Sequence, residues 1–201
     1  MNERTLFLAL RPGRVYHLDG TPNNVEPDWS EFHRTMARIY RFGGRSPYSV
    51  LDHALAVRHA LVLLEASPMA IHHGFFHDHH ESLVGDVPYP IGRALGLVWD
   101  SIHSNAVVYC SRWFDWSALT SDDAKLVHDV DVSATYVEAI LAGVAMETCP
   151  WVATYIAGNQ AWWATVAPLL REGYSMAGHD RIADLMSAER HLTAIPRVVS
   201  S

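Results

Sequence analysis

The chain has 201 residues, 49% of them hydrophobic and 18% charged, with a formal net charge of -7; that is a globular composition, long enough for one well-buried domain. The acidic balance speaks against a general nucleic-acid binder, which needs a basic surface, while leaving room for one small anion held by local cations. No apolar run reaches the roughly 18 residues of a membrane span, and Met1 to Leu10 lacks the basic and long apolar regions of a signal peptide, so a cytosolic protein with no membrane partner is expected.

In chain order, Thr5 to Leu10 and Arg14 to Leu18 can form a short hairpin around the Arg11-Pro12-Gly13 turn. Asp28 or Ser30 can cap a helix running to about Tyr40, with Phe32, Met36, Ile39 and Tyr40 at helical spacing. Arg41 to Pro47 reads as a loop, and Tyr48 to Ala66 as a helix with Val50, Leu51, Ala54, Val57, Leu61 and Leu64 as its buried stripe. Pro68 opens a third helix, which Gly85-Asp86-Val87-Pro88-Tyr89-Pro90 ends. A long helix is predicted from about Ile91 to Phe114, another from Thr120 or Ser121 to about Met146, another from Pro150 to Leu170, and a last one from His179 to Leu192. The fold class is therefore all-α, a single domain over residues 1–201 with helical segments at 150–192. Cys110 and Cys149 match no zinc motif and no disulfide framework, and read as small hydrophobes. Trp and Tyr within Trp151 to Trp163 suit either core packing or a homo-oligomer interface.

The third helix carries the chemistry. His72 to Asp86 packs five histidines and three carboxylates into fifteen positions, interrupted at helical spacing by Phe75, Phe76, Leu83 and Val84. A solvated polar face would not alternate with those residues. His77 and Asp78 offer a nitrogen and an oxygen to one cation. Glu81, four residues after His77, falls on the same face of a continuous helix, where a proton-transfer group would serve a metal-activated water. Two more candidate ligands lie on other helices. His53 sits in an apolar helix, where a lone histidine is usually a hydrogen-bonded core residue. Asp131 sits between valines, where a buried carboxylate is costly without a cation or hydrogen bonds. His53, His77, Asp78 and Asp131 give two nitrogens and two oxygens, a set suited to Mn, Co, Fe, Ni or Zn.

The order His, His-Asp, Asp on successive helices resembles the HD-domain metal-dependent phosphohydrolases. Ser49-Val50-x-x-His53, the His77-Asp78 helix with Glu81, Gly85-Asp86-Val87-Pro88-x-Pro90, and Asp131 followed by Tyr136 are similar to the 5'-deoxynucleotidase branch. Arg41-Phe42-Gly43-Gly44 before Tyr48-Ser49-Val50 is similar to phage members, among them dATP triphosphohydrolases. The likeness covers roughly residues 28 to 140. It implies an HD-type helical bundle whose metal ligands are His53, His77, Asp78 and Asp131. It also implies that Glu81 activates the water or holds a second ion such as Mg, and that Asp86 binds the sugar hydroxyl, against its plain reading as a turn residue. By the same likeness Arg41 would hold phosphate and Phe42 would wall the base. The outer charges of a triphosphate would fall to Arg41 first, with Arg45 and Arg93 as further candidates. No lysine follows Pro90 where some relatives place a cation, and Arg93 is the nearest substitute. The motif does not use His79 and His80.

The activity so implied is hydrolysis of a deoxynucleotide substrate in a phage nucleotide pool: dATP to deoxyadenosine and triphosphate by preference, or a deoxynucleoside monophosphate to nucleoside and phosphate. The same attack at the α-phosphorus yields either product set, so the metal centre alone does not separate them. Two other readings are a cyclic-nucleotide or (p)ppGpp hydrolase, which the Gly-Asp-x-Pro loop opposes, and a non-catalytic metal- and nucleotide-binding regulator, which Glu81 opposes.

Overall fold

The structure is a computed structural model that describes residues 7–11, 14–17, 27–114 and 117–177. Ten helices follow one antiparallel hairpin among these residues: β1 (Phe7–Arg11), β2 (Arg14–His17), α1 (Trp29–Met36), α2 (Arg41–Gly44), α3 (Val50–Leu63), α4 (Pro68–Phe76), α5 (Glu81–Val84), α6 (Tyr89–Leu95), α7 (Leu97–Ser111), α8 (Ser121–Leu141), α9 (Pro150–Gly158) and α10 (Gln160–Ala177). The expected all-α bundle and hairpin are both present. The predicted helix from His179 lies outside the described residues. None of the described helices is long and apolar enough to cross a membrane.

Side chains set the helix starts. Asp28 accepts the Glu31 backbone N–H, Ser49 and Asp52 form a capping box, Ser67 accepts from Ala70, and Thr120 and Asp123 form a second box. Ser67 also donates to Asp123 at 2.9 Å, tying the start of α4 to the start of α8. Several helices are shorter or more broken than predicted, among them α1, which stops at Met36 rather than about Tyr40. The segment from Ile91 to Phe114 splits at Gly96, whose φ of 59° and ψ of -142° leave the helical region, so α6 and α7 are separate. The segment from Pro150 splits at Asn159, and α10 continues to Ala177. Helix α8 stops at Leu141, five residues before Met146, ahead of a turn at Gly143.

Helix α3 is the centre of the bundle and packs against α4, α8 and α10. Nine of its fourteen residues are buried, the pattern of a helix covered nearly all round. It joins two apolar clusters. Val50, Leu51 and Ala54 belong to one with Trp29, Phe32, Phe75, Phe76 and Phe114; Val57, Ala60 and Leu61 belong to the other with Val130, Val137, Leu170 and Tyr174. His53 stands in sequence within the first set, between Leu51 and Ala54. The α3–α10 contact is close because residue 173 is glycine: a Cβ there would lie 2.9 Å from the Ala56 Cα. Core packing accounts for most of the aromatic residues between Trp151 and Trp163. Tyr155 stacks on Tyr136 with ring centroids 4.1 Å apart, Trp162 donates to Ser133 at 2.9 Å, and Trp163 is buried. Trp151 is 48% exposed.

His79 and His80, which the motif does not use, are both buried. His79 shares a 3.0 Å Nε2–Nε2 hydrogen bond with His33 of α1, inside an aromatic shell of Trp29, Phe75 and Phe76. One ring donates and the other accepts, which requires the accepting ring to be neutral. Burial pushes the His33 imidazole down to about 4 and, with His73 adding to it, the His72 imidazole to about 4. Above about pH 6.5 both the folded and the unfolded chain hold these rings neutral. Between there and about pH 4 the unfolded chain takes up protons that the folded chain refuses. Stability should therefore fall as pH falls through that window. Guanidinium unfolding midpoints measured from about pH 7.5 down to about pH 4.5 should drop, and less steeply in His33→Gln. The same slope in both proteins would contradict this account.

Candidate metal centre

The helix carrying the histidine run does not continue through it. Helix α4 ends at Phe76, and residues 77–80 form turns joined by i→i+3 bonds: His79 N–H to Phe76 O at 3.1 Å, Glu81 to Asp78 at 2.9 Å, Ser82 to His79 at 3.1 Å and Leu83 to His80 at 3.0 Å. Three residues per turn replace 3.6, so side chains three apart eclipse. Glu81 therefore sits one tight turn beyond Asp78 and faces it, which corrects the expected alignment with His77 on a continuous helix. Gly74 O accepts a 2.7 Å bond from His77 Nδ1. That bond fixes the ring so that Nε2 is the free ligand atom.

Four side chains meet at this turn. His53 Nε2 from α3 is 2.9 Å from Asp131 Oδ1 of α8 and 3.7 Å from Asp78 Oδ2. His77 Nε2 is 3.2 Å from each of the same two oxygens. The four atoms all lie within 4.8 Å of one another. Bonds of about 2.0–2.2 Å to one cation set neighbouring ligand atoms about 3.0–3.5 Å apart, and the observed spacings match that shell. The four residues named from the sequence thus form a buried His/Asp cluster that could hold a metal ion. The charges agree. Burial lowers the His77 pKa, but Asp78 and Asp131 outweigh it and raise it well above the ordinary range. Burial raises that of Asp78, and His77, Arg41 and His53 together hold it well below. The two carboxylates draw positive charge into the cluster, and a divalent cation would take the place of the proton on His77.

Arg41 borders this cluster. Its Nη1 is 3.3 Å from Asp78 Oδ2 and 3.9 Å from Glu81 Oε2, its Nη2 donates to Thr135 at 3.5 Å, and its Nε is 3.1 Å from Glu138 Oε2. It is a buried residue set against the ligands themselves. Phe42 comes next in a left-handed conformation with φ 55° and ψ 38°, a strained state for a residue with a side chain. Its backbone N–H donates to Asp86, so Asp86 has a structural bond that ties the Gly85–Pro90 loop to the Arg41 turn. Both readings of Asp86 keep support, because Arg41, Phe42, Asp86, Tyr89 and Thr135 also line a cavity of about 300 Å³. A second cavity of about 320 Å³ lies past Glu81, lined by His80, Glu81, Arg93, Trp99, Asp100 and His103. Arg93 lies over the Tyr89 ring there, 5.8 Å from its centroid. Arg45 is exposed at the end of α2 and lines neither cavity.

Glu81 stands beside Asp78 and His80 at this turn. Burial raises its pKa well above the ordinary range, Asp78 adds to this, and Arg41 opposes it; Oε2 is buried without a hydrogen-bond partner. Asp78, His80 and Glu81 also come together as a second group of possible ligands, but the Arg41 guanidinium already stands against two of them. Two residues of this neighbourhood escape the sequence reading. Glu138 is fully buried in α8, two turns after Asp131 on the same face, and the argument that singled out Asp131 applies equally to it. Tyr174 of α10 carries no sequence signal; only the α3–α10 contact brings its hydroxyl to 2.9 Å from His53 Nδ1.

No protein-family model and no curated protein matches the chain.

Removing one of four ligands leaves an incomplete shell. The purified protein should retain Mn²⁺, Co²⁺ or Zn²⁺ at one equivalent after dialysis, while His77→Ala and Asp78→Ala should retain little, as read by elemental analysis. Equal retention in all three would remove the cluster from consideration as a metal site.

Proposed function

We propose that the protein is a metal-dependent phosphohydrolase of deoxynucleotides, with dATP cleaved to deoxyadenosine and triphosphate as the preferred reaction. The observation that carries this reading is that the His53, His77, Asp78 and Asp131 cluster, Glu81 and Arg41 bring their side chains together around the turn at 77–81. A cation in the cluster would supply a water of lowered pKa and draw charge from a phosphate oxygen. Glu81 takes the proton of the attacking water as its oxygen bonds to the α-phosphorus, and returns it to the 5'-oxygen as the P–O bond breaks. Arg41 donates to the phosphate oxygens that gain charge. Phe42 walls the nucleoside in the cavity that Asp86 shares, and the cavity past Glu81 takes the outer phosphates against Arg93 and His103.

Charge in that second cavity favours the alternative, a 5'-deoxynucleotidase. Arg93 is joined there by two carboxylates, Glu81 and Asp100, and Arg45 is elsewhere. A monophosphate asks for the one cation that Arg41 supplies. A regulator that binds metal and nucleotide without turnover has less support, because Glu81 is buried and placed for proton transfer.

Incubation of the Mn²⁺- or Co²⁺-loaded protein with a panel of ribo- and deoxynucleotides, with phosphate and triphosphate separated, decides among these. Triphosphate from dATP is expected. Phosphate from dAMP alone would select the nucleotidase, and no turnover of any nucleotide would overturn the enzyme reading.

Two variants probe the assigned roles. Glu81→Gln should keep the metal and lose about 10²–10⁴-fold in kcat, the range for a general base; wild-type kcat would remove it from proton transfer. Arg41→Ala should lower kcat/KM for dATP and dAMP alike, since it faces the reacting phosphorus, whereas Arg93→Ala should lower only that for dATP. A loss confined to dATP in Arg41→Ala would reverse the assignment.

A further inference from the structure

Glu138 is a fully buried carboxylate beside the cluster that is not one of its four ligands and lines neither of the two cavities. Its Oε2 gathers three groups from three different elements: the Tyr174 hydroxyl of α10 donates to it at 3.0 Å, Arg41 Nε of α2 lies at 3.1 Å, and His53 Nδ1 of α3 lies at 3.4 Å. Tyr174 also lies 2.9 Å from His53 Nδ1. A histidine that ligates through Nε2 must carry its proton on Nδ1, and that N–H needs an acceptor. The tyrosine hydroxyl has one proton, for which Glu138 Oε2 at 3.0 Å is the nearer acceptor and the Ala134 carbonyl at 3.4 Å the weaker one, and its lone pairs are left to accept from His53. The chain of donors therefore runs His53 to Tyr174 to Glu138, and Glu138 is its stronger terminus. The second limb orients a cation. Glu138 Oε2 lies against Arg41 Nε as an ion pair without hydrogen-bond alignment, and the two terminal nitrogens of the guanidinium reach Asp78 and Thr135.

We propose that Glu138 is a positioning residue for two halves of the site at once: through Tyr174 it sets the ring state of His53 for metal binding, and through Nε it aims Arg41 for an anion. The competing account is a buried ion pair that only holds α2 to α8. The two differ in what they require of Tyr174, which has no part in an Arg41–Glu138 pair. They also differ in the effect on metal binding when Glu138 keeps its shape but loses its charge and one acceptor oxygen. The position of Tyr174 itself depends on the close α3–α10 approach at Gly173 and Ala56. The metal limb stands on the ligand cluster alone; the anion limb rests on the phosphohydrolase reading.

The test uses the full chain, Co²⁺ as the metal probe read by its visible absorption, and inorganic phosphate as the anion probe on Co²⁺-saturated protein. Glu138→Gln should bind Co²⁺ about 10–100-fold more weakly, the usual cost of losing a partner behind a metal ligand, with an altered absorption band, and should also bind phosphate more weakly. Tyr174→Phe should weaken Co²⁺ by a similar factor with phosphate affinity nearly unchanged. Arg41→Lys, which lacks Nε, should lose phosphate and keep Co²⁺. Wild-type affinities for both probes in Glu138→Gln, with only a lower Tm, would overturn the proposal in favour of the ion pair. Should Glu138→Gln fail to fold, Tyr174→Phe decides the metal limb, and unchanged Co²⁺ affinity there overturns it. Failure of the wild-type protein to take up Co²⁺ would overturn the metal reading and this proposal together, whereas wild-type phosphate affinity in Arg41→Lys would overturn the anion limb alone.

Discussion

Asp78, Glu81, Asp131 and Glu138 bring four carboxylates into one small buried volume, with the Arg41 guanidinium set against three of them. Buried charge of one sign is tolerated only when it is paired and hydrogen-bonded. The surrounding structure meets that condition in part, with Glu81 Oε2 and Glu138 Oε1 left buried without a hydrogen-bond partner. His53 and His77 face Asp131, Arg41 bridges Asp78 and Glu138, and Tyr174 satisfies Glu138 from a fourth element. A divalent cation would complete the balance at the point where two nitrogens and two oxygens already have a coordination spacing. An arrangement of that kind is expensive to maintain for packing alone, and this is the physical reason for reading it as a functional site.

The apolar parts of the fold serve this arrangement. Helix α3 is almost fully covered, so His53 is held by packing on both sides and not by its own polar contacts alone. Capping boxes fix where α3 and α8 begin, and with that fix the rotation at which His53 and Asp131 point inward. The tight turns at 77–80 let His77, Asp78 and Glu81 reach one volume from a short segment, which 3.6 residues per turn would have spread round a helix.

The metal cluster does not by itself choose a substrate. Two cavities of similar size flank the Gly85–Pro90 loop and differ in character: one is walled by Phe42, Tyr89 and prolines, the other by His80, Arg93, Asp100 and His103. A nucleoside suits the first, and the second offers mixed charge. Under the proposed phosphohydrolase reading, substrate choice would rest on the side chains lining these two cavities rather than on the ligand set.

Residue types and spacing alone determined the all-α class, the candidate caps at Asp28 and Thr120, and the four ligand candidates. These are local properties: periodicity and capping act over one or two turns, and a polar residue in an apolar stretch stands out wherever its partner lies. The tertiary structure decided what depends on contacts distant in sequence. The break of the histidine helix after Phe76, the placement of Arg41 at the ligands, the exposure of Arg45 and the meeting of Tyr174 with His53 each require α2, α3, α8 and α10 to be packed before they can be seen. Glu138 lies between the two cases: its burial could be suspected from the apolar residues around it, but its partners come from three other elements, and only packing brings those together.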